Sequence, residues 1–263
     1  MSEARVLVKI DRHIATVTLN RGAKRNGLDF PMFEALVATG KELAGRKDVR
    51  VVVLHGDGPA FCAGLDWSAF LQAGQDVQRA MLARTDESPA NLAQRACWIW
   101  QEVPMPVIAA LHGAVFGGGL QLALACDLRI ASPDAQLSVM EARYGLIPDM
   151  GATQTLLGLV RPDVARELTF TARTVAGPEA LALGLVTRLE AEPLAAAQTL
   201  AASIAERSPD AVRAGKRLYQ RTLGRSPKES FAIETEEQLA LLGSPNQVEA
   251  MMAAMQKRPA TFD

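Results

Sequence analysis

Three consecutive glycines, Gly117, Gly118 and Gly119, stand directly before Leu120, Gln121 and the apolar run 122–126. Glycines leave backbone N–H groups uncovered and let a ligand come close. A helix starting just after them points the positive end of its dipole at the same spot. The chemistry this suits is stabilisation of a negative charge that develops during a reaction. No Gly-Lys-Ser/Thr follows, so a phosphate-cradling loop is excluded, and the Gly-x-Gly-x-x-Gly spacing of dinucleotide folds is absent. An oxyanion hole fits better, and it needs two convergent donors. The turn Ala63-Gly64-Leu65 supplies the second. The plainer alternative is that the glycines only permit close strand–helix packing.

Such turns must be held by a framework. Val6, Val8 and Ile10, then Ile14, Val17 and Leu19, predict a β-hairpin. Pro31 opens a helical pattern with Met32, Phe33, Leu36 and Val37 on one side. The apolar runs 51–54 and 107–111 read as buried parallel strands, with a helix over 91–101 between them. Residues 128–131 and 137–139 look like two more strands. Alternating strands and helices indicate an α/β protein with right-handed crossovers. Periodicity alone does not say how these strands are wound. Beyond Pro178 the pattern becomes helical, over 193–206, 209–223, 227–242 and 245–256, each run opening on proline. Residues 1–195 are therefore expected to form the core and 196–263 a helical C-terminal region.

Segment 66–89 is irregular, with Trp67, Phe70, Leu71, Met81 and Leu82 among Gly74, Gln75 and Asp76. It reads as a wall or lid over a greasy ligand, or as ordinary helix packing. Trp98 and Trp100 are candidates for lining an acyl pocket. Residues i and i+2 do not share a helix face, so at most one of them does so.

A net charge of −1 argues against a nucleic-acid-binding surface, leaving Lys24-Arg25 and 213–217 as local anion sites or solvated clusters. The N-terminus lacks a signal-peptide pattern, and no apolar run reaches the roughly 18 residues a membrane helix needs. Three scattered cysteines, Cys62, Cys97 and Cys126, fit reduced thiols in a cytoplasmic protein. Cys62 has no histidine paired with it in sequence and reads as small filler in its turn. His13, His55 and His112 read as structural, and no spacing suggests a metal site.

Several segments follow one another in a specific order: Leu19-Asn20-Arg21, Lys24-Arg25-Asn26-Gly27-Leu28, Phe61-Cys62-Ala63-Gly64-Leu65-Asp66 and Pro106-Val107-Ile108-Ala109-Ala110-Leu111-His112-Gly113. The glycine segment then runs into Cys126-Asp127-Leu128-Arg129-Ile130-Ala131. Glu141-Ala142-Arg143-Tyr144-Gly145-Leu146-Ile147-Pro148-Asp149 and Gly184-Leu185-Val186 complete the series. Over most of the chain this resembles the crotonase (enoyl-CoA hydratase/isomerase) superfamily. The resemblance implies a crotonase-like ββα spiral core, with C-terminal helices that cover the site and build a homotrimer or a dimer of trimers. It implies an acyl-CoA thioester as substrate, with no metal, no separate cofactor, no nucleic acid and no membrane.

By position in these motifs, the resemblance makes the N–H groups of Leu65 and Gly118 the oxyanion donors, beside Gly117. Lys24 and Arg25 would pair with the phosphates of coenzyme A, with Ala63 and Asp66 near its adenine and pantetheine. The family's hydratases carry two glutamates, one at the position of Gln121 and one at that of Glu141. Gln121 cannot take a proton. Asp149, eight residues after Glu141, looks like the second acid of the family's dienoyl-CoA isomerases, although those also carry an aspartate at the position of Gln121. The spacing of Glu141 and Asp149 brings them together only if the chain loops around the pocket. Asp149 as a helix N-cap and Glu141 as a structural hydrogen-bonding residue are the alternatives. The resulting expectation is a catalytic set of Glu141, Asp149 and Gln121, with Glu141 and Asp149 shuttling the proton of an isomerisation and Gln121 donating or accepting hydrogen bonds. Hydration, another reaction such as hydrolysis or decarboxylation, and non-catalytic acyl-CoA binding are the alternatives.

Overall fold

In the computed structural model, which describes residues 3–84 and 88–262, the hairpin forms as expected from β1 (Val6–Asp11) and β2 (Ile14–Leu19). Arg12 and His13 turn it in the left-handed region, at φ 46° and 67°, as two-residue hairpin turns require. Asp29 caps α1 (Phe30–Ala44) by accepting from the Met32 amide at 3.0 Å, and Pro31 occupies its first turn. Next come β3 (Val51–Gly56), α2 (Trp67–Leu82), α3 (Leu92–Glu102), β4 (Val107–Leu111), β5 (Ala114–Phe116) and α4 (Gly118–Leu124). Then follow β6 (Leu128–Ala131), β7 (Gln136–Ser138), α5 (Ala152–Thr155), α6 (Pro162–Thr171), β8 (Val175–Ala176), α7 (Gly177–Leu183) and β9 (Arg188–Leu189). Four helices end the chain: α8 (Pro193–Ala205), α9 (Pro209–Thr222), α10 (Pro227–Leu241) and α11 (Pro245–Gln256).

The strands form two sheets, ordered β1-β2-β3-β4-β6-β9 and β5-β7-β8. From β2 onward the large sheet is parallel. Parallel β4–β6 pairing in one sheet accompanies parallel β5–β7 pairing in the other. Successive strand–strand–helix units therefore stack in register as a ββα spiral, the arrangement that periodicity had left open.

The apolar runs of β3 and β4 are continuous because both sheet faces are covered. Val52, Leu54, Val107, Ala109 and Leu111 face the main core. Val51, Val53, Ile108 and Ala110 face Ala197, Ala201 and Ala205 of α8. Each fully buried valine there contributes about 1.5–3 kcal/mol. The expected division at residue 195 falls inside α8, which packs as part of this core. α9 is tied in as well: Lys216 Nζ, buried, lies 2.8 Å from Asp127 Oδ2 and donates to the carbonyls of Trp100 and Met105. The 213–217 cluster is thus spent internally. Arg213 donates to the Val49 carbonyl and Arg217 pairs with Glu237.

Candidate functional site

β5 hands the chain to α4 through Gly117, whose φ of 52° and ψ of −121° suit glycine. The Cys62 amide donates to the Ala114 carbonyl and the Phe116 amide to the Cys62 carbonyl, which ties β5 to the stretch holding the second turn. Gly64 sits at φ 86°, and a methyl group there would lie 2.7 Å from the Phe116 carbonyl oxygen and 3.7 Å from the Gly118 nitrogen. A Cβ at Gly119 would run into the Cys62 carbonyl. The two glycine turns are therefore in contact. Leu28 N donates to Gly64 O and Asp66 N to Leu28 O, so the intervening Leu65 amide faces away from Leu28. Among the described residues, neither the Leu65 nor the Gly118 amide has an acceptor. Two close, unspent donors are what an oxyanion hole consists of.

Glu141 starts a 3₁₀ turn (Glu141–Tyr144) that Gly145 ends at φ 70°. Leu146 N donates back to Glu141 O, and the chain doubles round so that Asp149 reaches the same cavity as Glu141. Burial raises the pKa of Glu141, the Gln121 hydrogen bond opposes this, and the Asp149 charge adds to the rise. Asp149 is open to solvent at the cavity wall, yet burial of its carboxyl raises its pKa too. It caps no helix: α5 begins at Ala152 with Gly151 as its cap. Gln121 is 2 % exposed and does not line the cavity. Its Nε2 donates to Glu141 Oε1 at 2.6 Å, and its Oε1 accepts from the amides of Met150 at 2.8 Å and Ala152 at 3.3 Å.

The cavity, about 620 Å³, is lined by Leu65, Gly118, Glu141 and Asp149 among others. Its aromatic wall is Trp67, Phe70 and Tyr144, with Trp67 stacked obliquely 4.8 Å from Tyr144 and edge-on to Phe70 at 6.0 Å. Within segment 66–89, α2 thus supplies a wall as a helix interrupted at Gly74, where φ is 79°, while residues 85–87 lie outside the described residues. Neither Trp98 nor Trp100 lines the cavity; Trp100 is buried and donates to the Ala96 carbonyl. Sequence reasoning missed Met140, Tyr144 and Met150. Their proximity in sequence to Glu141 and Asp149 was the available signal.

Ala63 and Gly117 line the cavity. Lys24 and Arg25 are exposed on the neighbouring turn, where the Ala63 amide donates to the Arg25 carbonyl, and neither has an acidic partner among the described residues. Asp66 does not line the cavity. It pairs with Arg21 at 2.7 Å and caps α2. Burial opposes its ionisation, but Ser68, the Ala69 amide and Arg21 outweigh that and hold its pKa at about 2. Cys62 is buried with its thiol directed at the Asn26 carbonyl, and burial pushes its pKa up to about 12, which removes it as a nucleophile near neutral pH. The histidines bond structurally: His13 to Asp48 O, His55 to Thr18, His112 to Gly58 O. Among the described residues, no group of three His, Cys, Asp or Glu side chains could hold a metal ion, and no helix is long and apolar enough to cross a membrane.

The stacked ββα turns are the crotonase fold of solved enoyl-CoA hydratases. The chain belongs to the enoyl-CoA hydratase/isomerase family, whose sequence model matches residues 9–263. Among curated relatives, it is 34 % identical over 256 residues to the rat mitochondrial Delta(3,5)-Delta(2,4)-dienoyl-CoA isomerase, covering 94 % of this chain and 78 % of that one. It is 32 % identical over 267 residues to the human mitochondrial enoyl-CoA hydratase domain-containing protein 2, covering 99 % and 89 %. Among solved structures, the enoyl-CoA hydratase of Bacillus anthracis superposes with a TM-score of 0.91 at 28 % identity, covering 98 % of each chain. The protein is an enzyme of this family, of the isomerase or lyase kind.

Proposed function

We propose that the protein moves a double bond within an enoyl-CoA or dienoyl-CoA thioester. The observation that carries this reading is the cavity's pair of carboxyl groups. Glu141 and Asp149 both line it, as do Leu65 and Gly118, while the position of the hydratases' other glutamate holds a buried glutamine. The thioester oxygen would accept from the Leu65 and Gly118 amides, about 2.7–3.1 Å from each. These donors act more strongly on the enolate than on the ground-state carbonyl, and that difference is what accelerates the reaction.

For a 3,5-dienoyl thioester the balance is simple. Glu141, whose carboxylate borders Gly117, takes a proton from C2. The electron pair spreads over the conjugated chain and the thioester oxygen. Asp149 then delivers a proton at C6, leaving double bonds at C2 and C4. Raised pKa values at both carboxyls suit this exchange, since a stronger base also makes an acid still protonated closer to neutrality. Trp67, Phe70 and Tyr144 would exclude water along the acyl chain. The unpaired Lys24 and Arg25 would meet the phosphates of coenzyme A, with Ala63 and Gly117 along the thioester arm. Asp66 would act through Arg21 and α2. Three buried free thiols suit a reducing compartment such as the cytoplasm.

The test offers 2-enoyl-, 3-enoyl- and 3,5-dienoyl-CoA in turn and reads product mass and ultraviolet absorbance. Migration without a mass change supports the reading. Efficient addition of water to 2-enoyl-CoA, with the dienoyl ester untouched, overturns it.

A further inference from the structure

We infer that Gln121 is the positioning residue of this site: its amide joins Glu141, the Asp149 loop and the first turn of α4 into one unit, and it takes no part in activating water. This rests on the double-bond reading for its kinetic consequences only. The geometry stands without it.

The amide has three partners on two elements. Nε2 donates to Glu141 Oε1 at 2.6 Å, while Oε1 accepts from Met150 N and Ala152 N. Met150 directly follows Asp149. The residue's own backbone N donates to Gly117 O, inside the turn that presents the Gly118 amide. One side chain therefore sets where both carboxyls stand relative to the oxyanion donors. Its bond to Oε1 also leaves Glu141 Oε2 as the buried oxygen without a partner among the described residues.

Glutamine is the side chain this position calls for. One end must accept from two amides and the other must donate to a carboxylate, and a neutral primary amide of this length does both. Asparagine is one methylene too short. Glutamate would satisfy the amides but set a second carboxyl against Glu141, and two such groups cannot both ionise at that separation. Gln121 itself is buried and outside the cavity lining.

Several ionisable groups surround Glu141. Asp149 comes from its own loop and Cys97 from α3, a buried thiol whose own pKa lies well above the usual value. On α6, which packs against the Glu141 turn, Asp163 and Glu167 are exposed and bonded to Arg161 and Arg173, and Arg166 is exposed. Asp149 raises the Glu141 pKa and Gln121 lowers it.

The experiment follows the Glu141 carboxyl by carbon-13 NMR through a pH titration in wild type, Gln121→Met and Gln121→Glu. In Gln121→Met the donor is lost, and the Glu141 midpoint should rise by about one unit or more. In Gln121→Glu the introduced carboxyl and Glu141 should titrate as a pair, holding one shared proton to a pH above the wild-type midpoint. The acidic limb of the double-bond migration profile should move up with the midpoint in Gln121→Met, about tenfold in rate per unit at fixed low pH. KM should change little, because Gln121 does not touch the cavity. A purely structural role would lower the rate at every pH alike. If Gln121→Met does not fold, Gln121→Glu decides, since it keeps the acceptor for both amides. Midpoints unchanged from wild type overturn the inference. Shifted midpoints in a protein that migrates no double bond leave the inference standing and sink the isomerase reading alone.

Discussion

Glu141 and Asp66 show how one functional group takes opposite characters from its neighbours. Asp66 has a guanidinium, a hydroxyl and an amide donating to it, and its pKa falls to about 2. At Glu141 burial outweighs the backbone and Gln121 hydrogen bonds that favour the charged form, so its pKa rises. The first is a fixed anion that starts a helix; the second is a base that can exchange a proton. If Glu141 and Asp149 relay a proton as a pair, Glu141→Gln and Asp149→Asn each abolish double-bond migration in a folded protein. The double variant is then little worse than either single one, because groups acting as a unit are non-additive. Additive partial losses, read from kcat/KM of purified and circular-dichroism-checked variants, would contradict the pairing.

At the scale of elements, the site depends on how closely helices and turns approach. α1 lies against α3 at Gly40, where a Cβ would run into Ile99. Gly40→Ala gains about 1 kcal/mol in helix propensity but overpacks this crossing by about 1–3 kcal/mol. A lower midpoint in thermal unfolding is expected, and an unchanged or higher one would show that Ile99 yields. The elements themselves were largely legible. All four C-terminal helices start at the prolines that mark them, because proline fits a helix's first turn and little of its interior. The aromatic wall was only half legible. Trp67 and Phe70 stand in an irregular segment, but Tyr144 meets Trp67 from another turn, and no local pattern announces a contact across 77 residues of sequence.

For the whole molecule, α9, α10 and α11 leave Tyr219, Leu223, Phe231, Leu239 and Met255 between 63 % and 77 % exposed. Monomers seldom leave so much apolar surface to water. We expect the trimer or dimer of trimers that the family resemblance implies. Multi-angle light scattering at micromolar concentration should give a mass three or six times that of the chain. A well-behaved monomer would contradict it, and those faces would then need a different partner.

The sequence by itself determined the glycine turns, the alternation of strands and helices and the family, because each is written in neighbouring residues or in the order of short segments. It also named Glu141 and Asp149, but only through resemblance, since eight residues with a glycine and a proline between them carry no fixed direction. Tertiary structure decided that they share a cavity, that α8 belongs to the core, and that Gln121 is buried outside the cavity lining. Those facts depend on which segments pack together and on which polar atoms burial forces to find a partner. Gln121 has the composition of a catalytic position and the bonds of a strut. Its donor and acceptors become visible only when Glu141, Met150 and Ala152 arrive beside it.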